Sequence, residues 1–363
     1  MADFSDIIDQ EQMKEHMQHG LESGKISHAY IISGEKDSGK EFIAGIFAKA
    51  LLCENREDRN GYHEACNKCP SCIKAMAGSH PDLITLVPEK PTSIGVDDIR
   101  VKIRDDVMIK PYESRYKIYI IPEGEKMTPA AQNALLKTLE EPPSYIVIII
   151  LTSNINAFLP TIISRCIVLP MKPALDDSIR KFLMEQQGVV DYKASLCAAF
   201  ARGNVGKALN LASNERFENL RTGTVDFMAK VKNLSISEAM ERLHTLLAAP
   251  ESAEKAEKAE KAEKAEKAEK ASKKGIDMEQ YEDFMDVLIF LFRDFLVYKA
   301  TGDDSHLIFS DKVSYIRSAT ETCTYEGIGS MIKDLEIAKN RVNSNVNIDL
   351  ALELMLLGIK ENL

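Results

Sequence analysis

The 363-residue chain has no apolar run near the ~20 residues a membrane-spanning helix needs. Its best stretches, Tyr145 to Leu151 and Val287 to Phe292, fit a buried strand and a helix core instead. The start of the chain lacks the basic and apolar segments of a secretory signal and carries Asp3, Asp6, Asp9 and Glu11. Both absences point to the cytoplasm. An excess of positive charge is missing too: the net charge of -10 argues against a free-standing, broadly basic nucleic-acid binder, though not against a local basic surface. In a reducing compartment, clustered cysteines suggest a metal more than disulfides.

With 45% hydrophobic and 28% charged residues, the chain reads as globular, and its length predicts two or three domains. The first ~170 residues alternate apolar strands with helical patterns. Ala29 to Ile32, Asp82 to Val87, Lys117 to Ile121, Tyr145 to Leu151 and Ile167 to Leu169 are the strand candidates. Runs rich in Val, Ile and Leu with helices between them predict a parallel α/β sheet. One helix is clearly punctuated, with Thr128 as its cap, Pro129 at its first position and Pro142-Pro143 as its stop. From about Pro170 the pattern is helical: Asp177 to Gln187, Lys193 to Ala201, Val205 to Ser213, Met278 to Tyr298 and Ile332 to Lys360. Gly203 and Gly206 mark breaks between short helices. Residues 253–271 repeat Ala-Glu-Lys, with each Glu from Glu254 to Glu269 four positions ahead of a Lys. A period of three drifts around a 3.6-residue helix, so the alanines build no apolar stripe, and the segment reads as a solvated low-complexity insertion.

Four cysteines follow the first helical pattern as Cys53-x12-Cys66-x2-Cys69-x2-Cys72. Two tight Cys-x2-Cys steps plus one distant Cys can close a tetrahedral thiolate site, the usual structural arrangement for Zn²⁺. Four thiolates leave no open coordination position, so bracing is expected rather than catalysis. His63 lies near enough in sequence to replace one of them. Cys166, Cys197 and Cys323 are isolated and read as core residues.

Just upstream, Gly34-x4-Gly39-Lys40 after a strand fits a loop that wraps phosphates with backbone N–H groups. The pattern then asks for Ser or Thr to bind Mg²⁺, and Glu41 stands there. A carboxylate beside a polyphosphate is repelled by about 4 kcal/mol at ~4 Å and an effective dielectric of 20. After Lys117 to Ile121, where an ATPase places Asp-Glu to hold the metal and polarise water, the residues are Pro122 and Glu123. Glu123 reads equally as a surviving second acid or as a loop glutamate.

Ser27-His28-Ala29-Tyr30 before the loop, the four cysteines, Asn133 to Pro143 (NALLKTLEEPP) and Ser164-Arg165-Cys166 together resemble bacterial clamp-loader subunits of the AAA+ class, over about residues 5 to 215. Within that family the chain looks like the delta-prime type of DNA polymerase III, which does not hydrolyse ATP. Gly206 adds a third departure, since the motor subunits carry a nucleotide-sensing arginine at its position. The resemblance implies an AAA+ core with the zinc knuckle at 53–72 (residues 1–170), a small helical lid (171–214) and a helical collar domain with the low-complexity insertion (215–363). It implies that Arg165 is an arginine finger reaching a neighbouring subunit's ATP, although an arginine taken alone also serves as a structural ion pair. Gly34, Gly39 and Lys40 would form a degenerate phosphate loop, and ATP would not be hydrolysed by this chain. The implied partners are gamma/tau-like motor subunits and a delta subunit, with the sliding clamp and primer-template DNA met through the assembly, and no membrane. Ser93 to Arg100 also resembles the family, in which a helix start there faces DNA; a plain helix cap by Ser93 or Asp97 is the simpler reading.

Two other functions compete. An active ATPase motor needs Glu41 to tolerate Mg²⁺ and Glu123 to act as the acid. An independent zinc-knuckle nucleic-acid binder must overcome the acidic balance and the few aromatics around the cysteines.

Overall fold

The computed structural model describes residues 2–59, 62–248 and 276–363; the Ala-Glu-Lys repeat lies outside them. The described residues group into two units, Met1–Gly188 with Ala201–Leu209, and Val189–Phe200 with Asn210–Leu363.

The first unit is built on a five-stranded sheet. Strand β1 spans Ala29–Ser33; β2 (Glu57–Arg59) and β3 (Tyr62–Glu64) form a separate hairpin; β4 (Leu83–Thr85), β5 (Lys117–Ile121), β6 (Ile146–Thr152) and β7 (Ile167–Pro170) complete the main sheet. Its order is β4-β5-β6-β1-β7. Every neighbouring pair is parallel, as the apolar runs predict. β5 and β6 are buried at every position, and their alternate residues feed two cores. Ile118, Ile120, Val147, Ile149 and Leu151 face one core with Tyr30 and Ile32. Tyr119, Ile121, Ile148 and Ile150 face the other with Ala29 and Ile31. β4 is shorter than the sequence suggests and only half-buried, because it is the sheet edge.

Helix α1 (Glu11–Ser23) and helix α2 (Lys40–Leu52) cover the first core, and α3 (Pro70–Met76) belongs to the cysteine segment. α4 is a single turn, Val96–Ile99. Neither Ser93 nor Asp97 caps it. Asp98 does so from within, accepting from the Gly95 N–H at 2.9 Å and the Glu89 N–H at 3.0 Å. That carboxylate occupies the helix start, where a phosphate would have to sit. Helix α5 (Pro129–Glu140) matches its sequence punctuation: Thr128 Oγ1 accepts from the Ala131 N–H at 3.2 Å, and the helix stops two residues before Pro142. α6 is the short turn Pro160–Ile163, and α7 is Asp176–Gln187.

The second unit is helical. Its buried centre includes Phe284, Leu288, Leu291, Phe292 and Phe295 on the helix Met278–Thr301, with Ile328, Met331 and Leu335 on Tyr325–Asn343 and Leu352 and Leu356 on Ile348–Asn362. The helical stretch expected from Ile332 to Lys360 is therefore two helices. The chain turns at Asn345 (φ 60°), and the Asn347 side chain caps the second helix by accepting from the Leu350 N–H at 3.1 Å. Arg221 is buried in this unit, held by both Asp311 oxygens at 2.9 and 3.0 Å.

Candidate phosphate loop, cysteine cluster and arginine

β1 ends at Ser33 and α2 begins at Lys40, so Gly34 to Gly39 forms the strand-to-helix loop that the sequence predicts. Gly39 holds the left-handed conformation (φ 91°) that lets the loop enter the helix. The loop is not open. The Lys40 amine folds back to donate to the Glu35 carbonyl at 2.6 Å. Burial lowers its pKa from the ordinary lysine value, against the opposing pull of Glu125, Glu41, Asp37 and Glu123. Four carboxylates around one amine make a poor seat for a polyphosphate.

The loop tip is covered as well. Asn204, at the start of the helix Val205–Ser213, donates from Nδ2 to the Lys36 carbonyl at 2.8 Å. Gly206 lies so close to Asp37 that a Cβ added there would overlap the Asp37 carbonyl. The missing arginine is thus a steric exclusion in this conformation. Beside the loop lies a cavity of about 790 Å³, lined among others by Ile7, Gly34, Ser38, Phe42, Met171 and Asn204.

At the end of β5, Glu123 adopts a left-handed turn (φ 47°) and pairs with Lys126 at 2.7 Å. It behaves as a loop glutamate. Sequence reasoning overlooked Glu125, the carboxylate that pulls most strongly on the Lys40 amine. Its oxygens accept from Ser153 Oγ at 2.5 Å and the Ser153 N–H at 3.3 Å. Burial raises its pKa, but hydrogen bonds from Ser153 and Thr152 outweigh that and leave it below the usual carboxylate value. Its place two residues beyond the missing Asp-Glu was the only signal.

Cys53, Cys66, Cys69 and Cys72 converge as predicted. They are buried, and their Sγ atoms all lie within 4.8 Å of one another. The Cys53–Cys69 and Cys66–Cys72 separations are 4.0 Å. A tetrahedral ion with metal–sulfur bonds of about 2.3 Å requires sulfurs about 3.8 Å apart, so the four residues fit a metal. Backbone N–H groups already point at the sulfurs: Cys66 to Cys53 at 3.3 Å, Cys69 to Cys66 at 3.3 Å and Cys72 to Cys69 at 3.4 Å. Burial pushes the Cys66 thiol up, but the N–H groups of Lys68 and Cys69 prevail and hold it at about 7. His63 is exposed on β3 and is not part of the cluster. Ser71 fixes α3 to the end of α2 by donating to the Leu52 carbonyl at 2.8 Å.

Arg165 stands in the turn between α6 and β7. One guanidinium nitrogen pairs with Glu140 at 2.9 Å, and the other donates to the Thr161 carbonyl at 3.0 Å. The segment that leads into α6 is tied to α5 through Gln132, which is buried: it donates to the Ala157 carbonyl at 2.9 Å and accepts from the Leu159 N–H at 2.8 Å. β7 pairs with β1 from Tyr30↔Ile167 to Ser33↔Pro170. Arg165 therefore precedes the strand end opposite the phosphate loop. Roughly 10 Å of strand, plus the turn itself, separates it from that loop.

A parallel sheet whose first strand runs through a glycine loop into a helix defines the phosphate-loop class of α/β proteins. Comparison with known proteins narrows this. A family model described as "DNA polymerase III, delta subunit" matches residues 9–174, and one described as "DNA polymerase III, delta subunit, C terminal" matches residues 272–361. DNA polymerase III subunit delta′ of Bacillus subtilis (strain 168) is 29% identical over 344 residues, 94% of each chain. The tau subunit from the same organism is 36% identical over 265 residues, 67% of this chain and 46% of tau. A gamma-subunit-related protein of Thermotoga maritima, solved as a crystal structure, aligns at 21% identity and a TM-score of 0.43 over 96% of this chain and 98% of its own. The chain belongs to the delta and delta-prime family of DNA polymerase III clamp-loader subunits.

Proposed function

We propose that the chain is a non-hydrolysing, delta-prime-like subunit of the replicative clamp loader. It lends Arg165 to the ATP site of a neighbouring gamma/tau-like subunit and scaffolds the loading of a sliding clamp onto primed DNA. One observation carries the reading: the two halves of a nucleotide-hydrolysing kit lie at opposite ends of β1 and β7, and only the outward half keeps its chemistry. At the loop end, Glu41 and Pro122 replace metal-holding residues, Lys40 is turned onto Glu35, and Gly206 sits against Asp37. At the far end, Arg165 is too distant to serve its own loop and is 35% exposed. An arginine placed that way is out of reach of its own loop, which supports action on another chain. Given in trans, such a group contributes 10³–10⁵ in rate in well-studied NTPases.

The cysteine cluster would hold a structural Zn²⁺ through Cys53, Cys66, Cys69 and Cys72. The ion fixes the knuckle, and its binding is coupled to local folding. The division into an AAA+ core, a lid at 171–214 and a collar domain at 215–363 belongs to the same reading, as do a delta subunit, the clamp and DNA as partners.

The test is ATP turnover by the pure chain and by the complex reassembled with gamma/tau-type and delta subunits. The pure chain should be inactive with Mg²⁺ and ATP. Complexes with Arg165→Ala should assemble and lose ATPase and clamp loading. Normal rates in that complex would remove the arginine's role, and Mg²⁺-dependent turnover by the lone chain, lost on Lys40→Ala, would identify a motor instead.

A further inference from the structure

Arg165 is not waiting in solvent. Its guanidinium is shared between Glu140, at 2.9 Å, and the Thr161 carbonyl, at 3.0 Å. Glu140 is the last residue of α5, and its carboxylate is 49% exposed. The Pro142-Pro143 stop prevents the helix from continuing past it, so the carboxylate is presented at a fixed helix end. Arg165 approaches from the other side, on the turn that follows α6, and Gln132 fastens the segment leading into α6 to the same helix. Two opposite charges are thus held at the edge of one rigid element, each partly open to water.

A guanidinium engaged by a carboxylate cannot offer the same N–H groups to a phosphate. We propose that Glu140 is a positioning residue that parks Arg165: it holds the guanidinium in the absence of a neighbour's nucleotide and surrenders it to the more highly charged triphosphate. This rests on Arg165 acting in trans. Glu140 supplies a threshold, because a ligand carrying less negative charge competes less well for the arginine. The pair is suited to exchange. It is half-exposed, and pairs of that kind are weak enough to be broken by a competing anion. The charge neutralised at Glu140 before binding is neutralised at phosphate afterwards, while the Thr161 carbonyl remains to orient the side chain.

The experiment uses the reassembled complex, with ATPase followed over a range of ATP concentrations. Glu140→Gln keeps the size and a hydrogen-bonding oxygen but removes the charge. The expected result is a fall in KM for ATP of roughly two- to five-fold with kcat little changed, the scale of a half-exposed ion pair. In an Arg165→Ala background, where turnover is lost, ATP affinity read by direct binding of a fluorescent ATP analogue should not change on Glu140→Gln, because Glu140 acts only through that arginine. A raised KM or a lowered kcat in Glu140→Gln would mean that Glu140 props the arginine in its working pose, and would overturn parking. An unchanged KM would overturn it as well, as would a matching gain in ATP-analogue affinity on Glu140→Gln without Arg165. Failure of the proposal is separable from failure of the trans reading, because only the latter predicts that Arg165→Ala alone leaves the complex at full rate.

Discussion

The loop end and the arginine end of the same sheet differ in what each spends its charges on. Around Lys40, charge turns inward: the amine bonds a backbone carbonyl, four carboxylates surround it, and Asn204 closes the tip. Around Arg165, charge sits at the rim: the guanidinium is part-exposed, paired with the part-exposed Glu140 and bonded to the Thr161 carbonyl and the Ser164 hydroxyl. The loop end satisfies its polar groups within the chain: the Lys40–Glu35 bond is exposed, while the buried Asn204 amide, costly to leave unbonded, is met by the Lys36 carbonyl. On the proposed reading, the arginine end meets a partner, and its part-exposed hydrogen bonds are exchangeable. On the proposed reading, the contrast teaches that decay of one half of a catalytic kit would leave a local signature in who bonds whom, beyond the substitutions themselves.

The comparison can be broken most directly at the arginine end. Arg165→Ala in the reassembled complex should cut turnover at the site it completes by about 10³–10⁵, measured as single-site ATPase. Arg165→Lys should rescue only a small part, because a point charge does not reproduce a planar fork.

Next in size is metal removal. A chelator strong enough to strip a thiolate-bound ion should release one metal per chain and lower Tm. A loss of about 3 kcal/mol corresponds to roughly 6–12 °C for a domain of this size. Cys66→Ala should do the same without chelator, and elemental analysis of the purified chain checks the stoichiometry.

The third effect is steric. Gly206→Ala places a Cβ on the Asp37 carbonyl, so the loop tip must shift at a cost of about 1–3 kcal/mol, read as a reduced denaturation midpoint. It should restore no ATPase. Smallest of all, Lys40→Ala should move stability by no more than about 0.5 kcal/mol and leave turnover by the complex unchanged. A large loss there would erase the contrast between the two ends.

What the sequence made legible was local. The strand runs became the sheet because Val, Ile and Leu at consecutive positions need two covered faces, and those faces are the two cores. Thr128, Pro129 and Pro142 set the limits of α5 through backbone geometry alone. The four cysteines meet because short Cys-x2-Cys steps leave few ways to fold apart. What stayed hidden depends on distant partners. The Gly206–Asp37 approach joins residues 169 positions apart in the chain, a separation no spacing rule reaches. Glu140–Arg165 joins a helix end to a turn across an entire strand, β6. Asp98 as the cap of α4, and the break at Asn345, turn on single backbone choices that several polar neighbours could equally have supplied.

Helix α2 deserves a last thought as a piece of machinery. It starts at Lys40, at the mouth of the silent loop, and ends at Leu52, next to the sulfur of Cys53. Thirteen residues make a rod about 20 Å long, and nine of them are buried. One end opens on the glycine loop; the other runs into the cysteine cluster. On the proposed reading, loosening the cysteine end should be felt at the loop end, which would give the knuckle a purpose in a subunit that turns over no ATP.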